Sequence, residues 1–348
     1  MSNESAAANQ TNGGTKRTVL IAGAANLIVA LIKAVAGVLT SSSAMLAESA
    51  HSVADTLNQA LLLTSIKRAS KPADAEHPFG YGQERYFWSL LAAFGIFVLG
   101  AGFSVFEGIL ALGRSGEPGS SLIAYVVLVA SAVAETISFI RAFRQMRGEA
   151  RQERTELIEH VKSSADTTVK AALFEDSAAV VGLVLAAAGI GLRQLTGSAV
   201  WDGAASIAIG VLLVVVAVRL GMDNRDLLIG RAAGNRDLAA IRQLIESTDG
   251  VDDLHELLTM HLGPDQLIVA ARVSLAPGLS SDDAEDLADQ IDGRLRERVP
   301  EVSHVFIDPT PREAERRARA GKRAAGLREA AMRDAAGPAH GGARSTGS

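Results

Sequence analysis

The 348 residues are 48% hydrophobic, 4% aromatic and 21% charged, with a mean hydropathy of +0.20, so apolar stretches and charge must be segregated, as in a membrane protein with a polar part attached. The absence of cysteine removes disulfides, cysteine zinc sites, iron–sulfur clusters and thiol nucleophiles. A net charge of -5 leaves no broad basic face to neutralise phosphates, which argues against a nucleic-acid partner.

In chain order, residues 1–16 are polar and rich in Gly, Ser and Asn, without the pattern of a secretory signal, and read as a disordered tail. A membrane-spanning helix needs roughly 20 mostly apolar residues. Stretches of that kind run over Thr18–Thr40, Ala44–Ile66, Tyr86–Leu112, Leu122–Phe143, Val169–Leu192 and Trp201–Leu220, which predicts six spans within residues 17–222. The second is the most polar, because it contains Glu48, His51 and Asp55. It and the fifth read as inner helices, with the others as their shell. Lys and Arg concentrate before span one and in the loops after spans two and four, which places both termini on the cytoplasmic side. Gly182 and Ala186, like Ala30 and Ala34, have the small-residue spacing that lets helices approach closely.

Beyond Gly221 the pattern changes. Asn235–Asp249 reads as an amphipathic helix, and Asp253–Leu262 and Gln266–Leu275 as strands around the turn Gly263-Pro264-Asp265. Ser280 to Asp283 reads as the N-cap region of a helix running to about Val299, and Ser303–Ile307 as a last strand. This α-β-β-α-β order predicts a small α+β ferredoxin-like domain over residues 223–310. Residues 311–348, rich in Arg, Ala, Gly and Glu, read as a charged disordered tail.

Charges inside spans mark functional sites, since one at the bilayer centre costs about 2.5 to 3.5 kcal/mol on insertion scales. His51 and Asp55 are four residues apart and lie on one helix face, where both can reach one ion. Asp176 of the fifth span is a third ligand. Imidazole with carboxylates suits Zn²⁺, and Fe²⁺ or Mn²⁺ less strongly. Such ligands bind metal only when deprotonated, so exchange of metal for protons follows. Glu48, one turn before His51, is a candidate support for the imidazole, and Glu175 a support or proton carrier beside Asp176. Lys33 is expected to pair with an inner carboxylate, and Asp202 to cap the sixth helix. A purely structural pair at His51 and Asp55 is the alternative.

These residues carry a resemblance. NLIVALIKAVAGVLTSSSAMLAESAHSVADTLNQ (Asn26–Gln59), DAEHPFGYGQER (Asp74–Arg85) and LFEDSAAVVGLVL (Leu173–Leu185) resemble the first two helices, the loop after them and the fifth helix of the cation diffusion facilitator family. Gly250–Val273 and Val302–Pro309 resemble its cytoplasmic domain. The FEDSAA pattern is similar to the zinc-transporter-nine-like branch. The resemblance implies a homodimer that exports Zn²⁺ from the cytoplasm against inward proton flow, with His51, Asp55 and Asp176 as ligands. The family's helix-five histidine is replaced by Ala172, so water, Glu175 or a backbone oxygen would complete the site, and Mn²⁺ or Fe²⁺ stay open. Asp74 and His77 match a loop site of some relatives, whose second histidine is here Tyr81. Asp252, Arg272, Glu285 and Phe306 stand where relatives have a histidine-rich dinuclear site. His255, His261, His304 and Asp308 do not restore that spacing, and His255 and His261 read as solvated. A dimerising domain with few or no ions is expected.

The competing readings are a proton-coupled transporter of a non-metal cation, a scaffold acting through its polar domain, and a membrane metalloenzyme. No HExxH occurs to support the last. An Ala, Arg, Gly and Asp-rich composition places the protein in a bacterial cell membrane.

Overall fold

The computed structural model describes residues 23–24, 26–113, 121–152, 156–158, 161 and 165–310. The predicted tails, and Lys16, Arg17, Arg114, Arg154 and Lys162 used for orientation, lie outside these residues. Two compact units are present. One comprises the described residues up to 238 with 259–268 and 301–303, and the other 239–258, 269–300 and 304–310.

The first unit is helical. Helix α1 (Asn26–Thr40) runs to a tight corner at Ser41, whose φ is 50°. Ser42 then opens α2 (Ser43–Ala69) by accepting a bond from the Met45 amide, which satisfies one of the unpaired amides of the first turn. Lys67 and Arg68 in the last turn of α2 complement its dipole. Helix α3 (Glu84–Leu112) contains a π-helical stretch, Ile96–Gly102. Helices α4 (Ser121–Gln152), α5 (Thr167–Thr196) and α6 (Val200–Ile229) follow.

Among the described residues, four helices are both long and apolar enough to cross a membrane: α3, α4, α5 and α6. Of the six spans predicted from sequence, these four meet both criteria. Residues 18–22 and 25 of the first predicted span lie outside the described residues, and the described part, α1, is a shorter apolar helix. Helix α2 has the length, but Glu48, His51, Asp55, Lys67 and Arg68 lower its apolar character.

The bundle is polar inside and apolar outside, as a hydrocarbon solvent requires. Leu27, Ile28, Leu31, Val35 and Val38 of α1 and Phe94, Phe97 and Phe106 of α3 are exposed, whereas Lys33, Glu48, His51, Ser52 and Asp202 are buried. The rest of the interior combines large aliphatic residues such as Ile96, Leu183, Ile209 and Leu213 with small ones such as Ala36, Ala44, Ala47, Ala54, Ala178 and Ala186, which let α2 approach its neighbours.

The remaining elements are α7 (Asn235–Glu246), β1 (Val251–Gly263), β2 (Gln266–Leu275), α8 (Ser281–Arg298) and β3 (Val302–Pro309), in the predicted α-β-β-α-β order. The sheet has the order β1-β2-β3. On β2, Leu267, Val269, Ala271 and Val273 alternate inward, and Leu287, Ile291 and Leu295 of α8 are buried at helical spacing. The predicted N-cap of α8 is a capping box: Ser280 Oγ accepts from the Asp283 amide, and the Asp283 carboxylate accepts from the Ser280 amide.

Candidate metal centre

Helix α2 carries the centre because polar residues recur on one of its faces, at 48, 51, 52, 55 and 59, the spacing that stacks side chains one turn above another. His51 is buried at 1% exposure. Its Nδ1 stands 3.6 Å from Asp55 Oδ1, too far for a hydrogen bond. Neither ring nitrogen has a hydrogen-bond partner among the described residues, nor does Asp55 Oδ1, although all are buried. Buried polar atoms are almost always bonded, so three bare lone-pair or donor positions on adjacent turns call for an occupant. Glu48 Oε1 and Gln59 Oε1 on the same face also have no hydrogen-bond partner among the described residues.

Glu48 is fully buried, and its Oε2 accepts from Lys33 Nζ at 3.2 Å. The ion pair expected of Lys33 is thus present, and its partner is the carboxylate one turn before His51. Asp176 is elsewhere engaged, its Oδ2 accepting from Ser138 Oγ of α4 at 2.7 Å. Glu175 is held by Asn58 of α2, whose Nδ2 donates to both carboxylate oxygens at 2.8 and 2.6 Å. The structure therefore brings His51 and Asp55 together. Among the described residues, no three His, Asp or Glu side chains converge closely enough to hold one ion, so Asp176 does not complete the set in this conformation.

Asn58 and Ser138 were not singled out in the sequence. Their spacing was the available signal: Asn58 is three residues after Asp55, and Ser138 three after Glu135, another charge inside a span. Asp202 departs from expectation. It lies inside α6, but its oxygens accept from Ser42 Oγ at 2.7 Å and the Ser43 amide at 2.6 Å, so it caps α2 and not its own helix.

In the loop after α2, Asp74 Oδ2 accepts from the Tyr81 hydroxyl at 2.8 Å, and Oδ1 from the amides of Glu76 and His77. The Tyr81 bond first, and these amides after it, hold the Asp74 carboxyl below the usual range. The His77 and Tyr81 rings lie 4.3 Å apart. Both Asp74 oxygens are thus used inside a turn.

In the α+β elements, Arg272 bonds Glu256 and Asp308, each at 2.9 Å. His255 stands 3.3 Å from Asp253 on a partly open face. His261, read as solvated, is instead buried at 4% exposure, with neither ring nitrogen bonded among the described residues. It lies on the inward side of the end of β1, where alternation is interrupted and three consecutive residues, His261 to Gly263, are buried. Burial, with Arg231 nearby, lowers its pKa to about 4.

A helix bundle with apolar flanks, an ion-paired interior and unpartnered imidazole and carboxylate groups is the architecture of a membrane carrier for cations. Residues 19–229 match the cation efflux transmembrane domain, and residues 233–312 the cytoplasmic domain of cation efflux proteins. The chain belongs to this cation efflux family, whose members are cation transporters and not enzymes. It is similar to the proton-coupled zinc antiporter SLC30A9, mitochondrial, of Xenopus laevis, with 32% identity over 332 residues, 85% of this chain and 59% of that protein. The human protein of the same name is 32% identical over 250 residues, 72% of this chain and 44% of that one. Metal tolerance protein C4 of Arabidopsis thaliana is 37% identical over 225 residues, 65% and 49% of the two chains. The chain thus spans between 44% and 59% of the length of these relatives. The expected placement in a bacterial cell membrane is overturned by relatives named as mitochondrial, while a multi-pass membrane protein fits the four apolar helices.

Proposed function

We propose that this protein is a secondary transporter that moves a divalent cation, Zn²⁺, across its membrane in exchange for protons, through His51, Asp55 and Asp176. The observation that carries the reading is the buried His51 and Asp55 pair with its free ligand atoms, inside helices whose outer faces are apolar. Nitrogen and oxygen ligands of this kind suit four-coordinate Zn²⁺. The relatives named as proton-coupled zinc antiporters support the same cargo. Metal must displace protons from imidazole and carboxylates, so metal loading releases protons and proton loading releases metal.

Asp176 joins the pair in a second arrangement of the bundle. In the present one Ser138 holds it, and Asp176 must leave that bond before it can join His51. Alternation between these arrangements is the transport step. Glu175, tied to Asn58, supports α5 against α2 and is the group placed to pass protons. Asp74 and His77 anchor the loop after α2. Six helices over residues 17–222 form the carrier, and the α+β domain over residues 223–310 joins two copies into a homodimer, as its match to the cytoplasmic domain of cation efflux proteins supports.

A second reading changes the ion and keeps the site. Ala172 withholds an imidazole, leaving a more oxygen-rich set that takes Mn²⁺ or Fe²⁺. The test is metal flux into proteoliposomes loaded with a Zn²⁺-sensitive dye, for wild type and Asp176→Ala, with and without a pH gradient. Gradient-dependent Zn²⁺ flux that the substitution abolishes is expected. Equal background flux in both, with Mn²⁺ and Fe²⁺ also inert, would refute a metal carrier with this site.

A further inference from the structure

Among the described residues, the most enclosed cation of the membrane unit lies beside the transport pair and is not one of its ligands. Lys33, in the middle of α1, is 0% exposed. Its Nζ donates to Glu48 Oε2 at 3.2 Å and to Ser52 Oγ at 3.0 Å, and stands 3.9 Å from Glu135 Oε1 of α4. One ammonium thus bridges two helices and meets a carboxylate of a third. Ser52 is next to His51 in the chain, so this cation sits against the α2 face that carries the transport pair.

Glu48 is equally enclosed and has a bare Oε1. That atom faces Gly182 of α5, where any Cβ would overlap it. Glu48 therefore spends one oxygen on Lys33 and keeps the other unpaired one helical turn from His51. Charge counting sets the consequence. Glu48 and Glu135 bring two negative charges to this corner, and Lys33 brings one positive charge. Without the ammonium, two carboxylates and the Ser52 hydroxyl would converge on a position held by nothing, an oxygen donor set of the kind that hard divalent ions prefer.

Resting on the transport reading above, we infer that Lys33 is a tethered resident cation. Its ammonium fills the carboxylate pocket between Glu48 and Glu135 that would otherwise take a second divalent ion beside His51 and Asp55, so that the carrier loads one ion at a time. A free second ion would add two charges next to the cargo and would have to leave with it, whereas an ammonium fixed to α1 adds one charge and never leaves. Lys33 acts on the cargo through the carboxylates it occupies, as a positioning residue.

The test compares bound metal per chain, by equilibrium dialysis of the purified full-length protein against Zn²⁺ alone and Mn²⁺ alone, for wild type, Lys33→Met, Lys33→Arg and the double variant Lys33→Met with Glu48→Gln. Lys33→Met is expected to gain one further ion per chain, with Mn²⁺ gaining more than Zn²⁺. Lys33→Arg should gain none, and the double variant should lose the extra ion. In proteoliposomes the saturated Zn²⁺ flux of Lys33→Met should fall at least about tenfold, since each turnover must then also release the second ion. A role confined to packing would not change the number of ions bound. No gained ion in Lys33→Met, or a gained ion that survives Glu48→Gln, overturns the inference. Should Lys33→Met not be recovered folded, Lys33→Gln, which keeps a donor for Glu48, carries the same comparison. Wild-type vesicles inert to Zn²⁺ and Mn²⁺, with an extra ion that still follows Lys33 and Glu48, would sink the transport reading alone. Gradient-driven Zn²⁺ flux in wild type without a gained ion would sink this inference alone.

Discussion

Gly182 shows how a single hydrogen atom is required by a charge. A Cβ at this position of α5 would fall on Glu48 Oε1, and Glu48 cannot swing away because its other oxygen is tied to Lys33. Gly182→Ala is therefore expected to destabilise the fold by about 1 to 3 kcal/mol, the usual range for overpacking, and to impair transport. Gly148 of α4 is the control, since a Cβ there meets nothing within 4 Å. Gly148→Ala should stabilise by up to about 1 kcal/mol through helix propensity. Thermal midpoints of the two variants in one detergent decide the matter; shifts of the same sign would remove the steric explanation. The candidate site was half legible in the sequence for the same kind of reason. His51 and Asp55 share one helix, so their i, i+4 spacing exposes them. The holders of Asp176 and Glu175, Ser138 and Asn58, sit on other helices; their i, i+3 spacing from Glu135 and Asp55 marks a polar face but not which group of another helix that face will meet. Gly182 was legible as a close-packing position, but not as the seat of Glu48.

At the scale of elements, the turn between α1 and α2 depends on the other side of the bundle. Ser41 stands at φ 50°, a conformation unfavourable for a residue with a Cβ, and Arg193 Nη1 of α5 donates to its carbonyl at 2.6 Å. Asp202 of α6 accepts from Ser42 Oγ and the Ser43 amide, and lies 3.4 Å from Arg193 Nη1. Residues of three helices, α2, α5 and α6, thus meet at one carboxylate, and Arg193 ties it to the corner that ends α1. Asp202→Ala leaves Arg193, 7% exposed, without its counter-ion and α2 without that cap, which should cost on the order of 3 to 5 kcal/mol. Asp202→Asn, which keeps an acceptor for the cap and drops the charge, should cost less. The check is the thermal midpoint of each variant in micelles, and an Asp202→Ala chain as stable as wild type would show that the corner holds without this carboxylate. Elements themselves were well anticipated. Apolar length located α3 to α6, alternation located β2, and Ser280 with Asp283 located the start of α8. Proximity in the chain points Asp202 to the start of α6, whereas the helix start that takes it lies 159 residues away in the chain.

Over the whole molecule, the response of stability to pH has one contribution that can be signed from groups outside the membrane helices. His261 on β1 is buried without a bonded nitrogen and beside Arg231, and both features disfavour its protonated form. Its pKa is about 4 in the fold against an ordinary 6.5. In the interval between these values the unfolded chain binds the proton that the folded chain refuses. The contribution is therefore complete above about pH 6.5, shrinks as pH falls, and is gone near pH 4, with a total of up to about 3 kcal/mol. Exposed carboxylates such as Asp74 and Asp283, held below their usual range by hydrogen bonds, act in the same direction at lower pH, since their stabilisation is also lost on acidification. The contribution of His261 is separated from theirs by substitution. His261→Phe removes the titrating group and retains a planar apolar ring. In the presence of a chelator, the thermal midpoint of wild type should fall more between about pH 7.5 and pH 4.5 than that of His261→Phe, because only wild type has this buried proton site to defend. Parallel falls in the two proteins would mean that His261 is hydrated in solution and that the acid response resides in the carboxylates. A smaller fall in the variant would assign this part of the acid response to the buried imidazole at the end of β1.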